Sequence, residues 1–389
     1  MSAPVHATPP PQITFDWATV GNAGNAADPA TGFGAVAYEY RISKTEVTNA
    51  QYTEFLNAVA ATDTHDLYNT DMAGNLGGIS RSGFSGSYIY SAQAGRANNP
   101  VTYVSWIDSA RFVNWLHNGQ TPASDTETGV YTINNGLTET RNVGAQYFLP
   151  SEDEWYKAAY HNAAAGTAGD YFTYATGSDS VPVSDHPDDN PSAVNYRNDD
   201  GIANGFNGGY AVSGTPFPGG NPSTEVGAYT DADSPYGTFD QTGNAWEWNE
   251  TLGSGSSRVR RGGSWASFES NQRSSSRPLL NPTTETIIIG FRIASPVPTP
   301  GDVNLDGVVD TLDIQPFVDL VSGGGFQDEA DVNGDGVVDT LDIQPFVDIV
   351  NGAIGGSDAA AVPEPGSLAL LGLSTAMLMR RRPRKRPRK

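Results

Sequence analysis

A stretch of 22 residues occurs twice near the C-terminus, and it constrains the chain more than any other feature. "DVNLDGVVDTLDIQPFVDLVSG" (Asp302–Gly323) returns as "DVNGDGVVDTLDIQPFVDIVNG" (Asp331–Gly352), identical at 19 of 22 positions. Each copy opens D-x-N-x-D-G, the front of a calcium loop. A hard cation takes six to eight oxygen ligands, and the spacing supplies them in order. In the first copy the oxygens come from Asp302, Asn304 and Asp306, the Val308 carbonyl and Asp313. In the second they come from Asp331, Asn333, Asp335, the Val337 carbonyl and Asp342. Each loop runs into a short apolar helix, with Ile314, Phe317, Val318 and Leu320 as its core face in the first copy. Pro316 falls in the first turn of that helix, where it is tolerated.

The repeat is one of three segments. A large Gly- and aromatic-rich segment covers 13–295 after an unstructured 1–12. The Pro-rich stretch 296–301 reads as an extended linker. The repeat occupies 302–352, a Gly/Ala spacer 353–361, and a signal-like tail 362–389. In the large segment three helices are marked by their starts. Thr48 is followed three residues later by Gln51, Ser105 by Asp108, and Ser151 by Glu154. The rest is short strands and loops, so the segment reads as α+β with little regular structure.

Charge excludes one class of partner. The chain carries 44 Asp and Glu against 22 Lys and Arg, a formal charge of −22. Eight of those bases lie in Arg380–Lys389, so the body is more acidic still. Such a body repels phosphate backbones, and nucleic acid is not expected as a partner. There is no cysteine, which excludes disulfides, thiolate metal sites and thiol catalysis. The start lacks an apolar signal-peptide core, although "VHA" (Val5–Ala7) has cleavage-site spacing. A start further upstream and a plain N-terminal tail both stay open.

The tail "VPEPGSLALLGLSTAMLMRRRPRKRPRK" joins Pro-Glu-Pro, an apolar run (366–379) and a basic end. It resembles the PEP-CTERM signal, which implies an exosortase-type processing enzyme and an exported protein at the cell surface or matrix. Membrane contact is then expected only through this hydrophobic helix. The loop–helix pair resembles a dockerin, a small α-helical module that docks to a cohesin-like partner through calcium.

Six ordered blocks of the large segment resemble the formylglycine-generating enzyme (sulfatase-modifying factor) family. They are "ISKTEVTNAQYTEFL", "NPVTYVSWIDSARFVNWL", "YFLPSEDEWYKAAY", "FDQTGNAWEWNE", "RVRRGGSWASFESNQRSSSR" and "IGFRIA". The resemblance implies a fold related to C-type lectins. It also implies a calcium site at Asp240, the Gly243 and Ala245 carbonyls and Glu247. A second would begin at Asn195 and the Tyr196 carbonyl, with Asp199 or Asp200 as further ligands. The family's two copper-binding cysteines fall on Ser267 and Gln272. Neither residue holds Cu(I) well, so copper is not expected, and no histidine pair suggests iron. The sequence therefore leaves the enzyme class open. The first expectation is a binding domain for a glycan or peptide, in a groove with Ser264, Trp265 and Ser267. The alternatives are a family enzyme with altered chemistry and a structural envelope component. Arg292 is expected to pair with a carboxylate inside the fold.

Overall fold

The computed structural model describes residues 13–355, apart from 135–136, 188–191, 199–209, 213–221, 305–307 and 324. The expected C-terminal hydrophobic helix and sorting tail, and Asp199, Asp200 and Asp306, lie outside the described residues. The chain divides into two units, Met1–Val297 and Pro298–Lys389. No described helix is long and apolar enough to cross a membrane.

The large unit is mixed α/β with few helices. Its strands are β1 (Trp17–Val20), β2 (Tyr40–Ser43), β3 (Ile79–Ser82), β4 (Ile89–Ala92), β5 (Val183–Ser184), β6 (Ala193–Val194), β7 (Trp246–Leu252), β8 (Arg258–Arg261), β9 (Leu279–Leu280), β10 (Ile289–Gly290) and β11 (Ala294–Pro296). The helices are α1 (Asn49–Val59), α2 (Trp106–His117) and α3 (Glu152–Tyr160). All three begin with the capping boxes read from the sequence: Thr48–Gln51, Ser105–Asp108 and Ser151–Glu154. In each, the cap side chain accepts an orphan N–H of the first turn, and the third residue answers the cap's own N–H.

One sheet, ordered β1-β2-β11, ties the two ends of the unit together, pairing Trp17 with Ser43 and Ala294 with Ile42. Pro296, the first residue of the expected linker, thus belongs to an edge strand; an edge position tolerates its missing N–H. The second sheet, β10-β7-β8-β9, carries the candidate site. Between them lies an aromatic core. Phe55 of α1 meets Phe112 of α2 edge-on, with ring centres 5.4 Å apart, and Phe112 meets Phe291 at the same separation. Trp248 of β7 is fully buried, and its indole N–H donates to the Val104 carbonyl at 3.0 Å. Such rings bury large apolar areas while their polar handles find partners.

The C-terminal unit contains two helices, α4 (Ile314–Gly323) and α5 (Ile343–Gly355), one ending each repeat. They start at equivalent repeat positions. Their core is Val303, Phe317, Ala330, Val338, Phe346 and Val350.

Candidate functional site

The β7–β8 hairpin positions the site. Three loops are laced around its lower end by main-chain hydrogen bonds. Gly243 N–H donates to Gly262 O at 2.8 Å, and Trp265 N–H to Asn244 O at 2.9 Å. Asn244 N–H donates to Asn195 O, and Arg197 N–H to Ser267 O, both at 2.9 Å. Gly243 has φ +103°, and a Cβ there would fall 2.2 Å from Asn195 O. Only glycine lets these two strands of chain cross so closely.

Glu247 points inward from β7 and meets Arg292. The guanidinium donates Nε to Oε2 at 2.6 Å and Nη2 to Oε1 at 2.8 Å. Trp155 Nε1 adds a third bond to Oε2 at 2.6 Å. The expected carboxylate partner of Arg292 is therefore Glu247. Burial alone would lower Arg292, but the Glu247 charge outweighs it and holds the guanidinium's pKa above its usual value. Beside this pair stand two carboxylates, Glu46 and Asp240, both buried. Asn244 Nδ2 donates to Glu46 Oε1 at 3.2 Å, while Glu46 Oε2 has no partner. Asp240 Oδ2 accepts the Gly227 N–H at 2.6 Å. Burial, opposed by that hydrogen bond and by Arg292, pushes Asp240 up to about 6. Glu46 is raised too, first by burial and then by the charges of Asp240 and Glu247.

Several atoms of the calcium sets expected here already have protein partners. Both Glu247 oxygens are engaged by Arg292 and Trp155. The Asn195 carbonyl accepts from Asn244, and the Tyr196 carbonyl from the Ser184 hydroxyl. Among the described residues, those of the second repeat loop included, no three His, Asp or Glu side chains are gathered as a ready-made metal site. Sequence reasoning also missed Glu46. It lies about two hundred residues from Asn244 in the chain, and no local pattern announces such a contact.

The loop after β8 holds the positions of interest. Ser264 and Ser267 hydroxyls share a hydrogen bond at 2.9 Å, and both residues are buried. Gln272 is fully buried, with neither amide atom partnered. Its amide lies over Gly263, where a Cβ would sit 2.3 Å from Oε1. Trp265 is buried as well, edge-on to Tyr210 at 5.6 Å. The expected groove residues Ser264, Trp265 and Ser267 are thus interior. The exposed face is Phe268, 56% accessible, with the Arg197 guanidinium carbon 5.2 Å from its ring centre. A separate polar cavity of about 290 Å³ includes Glu139, whose carboxylate accepts the Asn134 and Thr138 N–H groups.

In the C-terminal unit the second loop is described throughout. Asp331 Oδ1 accepts the N–H groups of Gly334 and Asp335, and its Oδ2 that of Gly336 at 2.8 Å. Gly336, the sixth loop position, has φ +84°. Asp342 folds back, accepting from Asn333 N at 3.1 Å and Asp339 N at 2.9 Å. Asp313 does the same in the first copy, with Asn304 N and Asp310 N both at 2.8 Å.

Fold and site define a loop-rich α/β domain whose buried ion pair sits behind a Gly-Gly-Ser loop. The chain belongs to the sulfatase-modifying factor enzyme 1-like domain family, whose model matches residues 19–297. A PEP-CTERM protein-sorting motif matches residues 361–385, which points to export and association with the cell envelope. That motif is consistent with processing by an exosortase-type enzyme. No curated protein matches the sequence significantly. Among solved structures, CarF is 20% identical, covering 73% of this chain and 99% of its own, with a TM-score of 0.44. Variable protein 1 of Treponema denticola is 18% identical, covering 72% and 95%, at 0.40. PvdO from Pseudomonas aeruginosa is 17% identical, covering 69% and 83%, at 0.38.

Proposed function

We propose that the large domain is an exported binding module that keeps its family's fold without the thiol chemistry. One observation carries this reading. Where the resemblance places two copper-binding cysteines, the chain has Ser267, bonded to Ser264, and the buried amide of Gln272. Hydroxyl and amide groups are hard, and Cu(I) prefers thiolates. The ligand is a glycan or peptide, met on the exposed side of the same loop at Phe268.

The repeat unit is a calcium-dependent attachment module for a cohesin-like partner. Calcium would be held by Asp331, Asn333, Asp335 and Asp342 with the Val337 carbonyl, and by Asp302, Asn304, Asp306 and Asp313 with the Val308 carbonyl. The positive φ of Gly336 supports it, since the loop turns sharply at that position. Bound calcium supplies the charge that lets these carboxylates crowd one turn. Cleavage of the tail would leave the acidic body at the surface or in the matrix.

Glycan and peptide arrays probed with the full chain test the binding reading. Capture by the wild type that weakens in Phe268→Ala supports it. Silence on both arrays contradicts it.

A further inference from the structure

We infer that Arg197 and Phe268 form the recognition point for a carboxylate-bearing saccharide, an inference that rests on the binding-module reading above. Arg197 pairs with Tyr210 in an isolated antiparallel bridge, and its N–H donates to Ser267 O. It is thereby fixed to the loop after β8. Its guanidinium carbon lies 5.4 Å from the Tyr210 ring centre and 5.2 Å from that of Phe268.

Arg141, Arg261, Arg273, Arg277 and Arg292 all grip carboxylates. Among the described residues Arg197 grips none, and its buried Nε has no partner. Glu269, next to Phe268 in the chain, takes two bonds from Arg273, at 2.6 and 3.0 Å, and one from the Tyr174 hydroxyl.

Two chemistries therefore meet beside one exposed ring, Phe268. With its Nε buried, a guanidinium held against aromatic faces keeps its two terminal Nη groups for a two-pronged carboxylate contact. The adjoining Phe268 ring offers a flat apolar face, which suits the C–H face of a pyranose. A uronate presents a rigid ring and a carboxylate at that spacing. An acidic peptide carries its carboxylate on a flexible stem and pays more ordering entropy for the same contact. At physiological salt the screening length is about 8 Å, so the chain's overall negative charge does not dominate this contact.

The test is calorimetric titration of the full chain with trigalacturonate, its methyl ester and hexaglutamate. Trigalacturonate is expected to bind at least about tenfold more tightly than its ester, and Arg197→Gln to remove about tenfold, as loss of a charge-assisted pair does. Phe268→Ala, an exposed change that spares the fold, is expected to weaken acid and ester alike. Near-ultraviolet circular dichroism checks that Arg197→Gln is folded. Equal binding of acid and ester would overturn the assignment of Arg197 while leaving the binding-module reading intact. Tighter binding of hexaglutamate would overturn the saccharide assignment. No binding of either saccharide by the wild type would overturn the inference altogether.

Discussion

Arg292 closes a two-pronged ion pair on Glu247, with neither side chain exposed. The same guanidinium donates to the carbonyls of Ser43, Lys44 and Phe239, so one residue joins β2, β7 and the final strands. Removing one partner leaves the other charge buried and unpaired. Glu247→Gln is expected to lower unfolding stability by roughly 3–5 kcal/mol in a urea titration. A loss below about 1 kcal/mol would mean the pair is solvated rather than buried.

Gln272 makes the opposite case. Both of its amide atoms are buried without a partner. Replacing a buried unsatisfied polar group by an apolar one of similar shape removes a desolvation penalty of about 1–3 kcal/mol. Gln272→Met is therefore expected to raise the melting temperature. A fall would show that the amide has hydrogen-bond partners after all.

Phe317 and Phe346, 29 residues apart and equivalent in the repeat, stack with ring centres 3.9 Å apart. Calcium in the two loops would hold this core together. Chelation is expected to raise hydrogen exchange across 302–352 and leave the large domain protected. Gly336→Ala forces a side chain into a left-handed turn and should cost roughly 1–2 kcal/mol, with weaker calcium binding. Unchanged exchange on chelation would remove calcium from the account.

Asp108 gives a pH dependence. It caps α2 from inside the fold, and burial pushes it up from 3.8 to about 7, against the hydrogen bonds from Ser105. The folded state then holds a proton that the unfolded state releases. This contribution is fully present below pH 4 and is lost as pH rises through 7. Asp108→Asn keeps an oxygen for Ser105 and should flatten that slope in denaturant titrations between pH 4 and 7. An unaltered slope would place its origin elsewhere.

What the sequence made legible was local. The three capping boxes placed the helix starts, because cap and partner lie three residues apart. The aromatic blocks marked the core, and the duplicated loop marked the second unit. The site was legible only in outline. Glu46 meets Asn244 across the whole domain, and Arg197 meets Phe268 through a bridge to Tyr210. Neither contact leaves a periodic trace. Trp265 and Ser264, expected to line a groove, are buried. The packing of the indole against Tyr210 turned them inward.

Copper chemistry tests most directly whether this domain is a binding module that does not oxidise thiols. The most direct measurement loads the purified chain with Cu(I) and incubates it with a cysteine-containing peptide under oxygen, followed by mass spectrometry of peptide and protein. No stoichiometric copper and an unconverted cysteine are expected, and Ser267→Cys/Gln272→Cys is expected to gain copper affinity. Tight copper in the wild type together with conversion of the peptide cysteine to an aldehyde would contradict it.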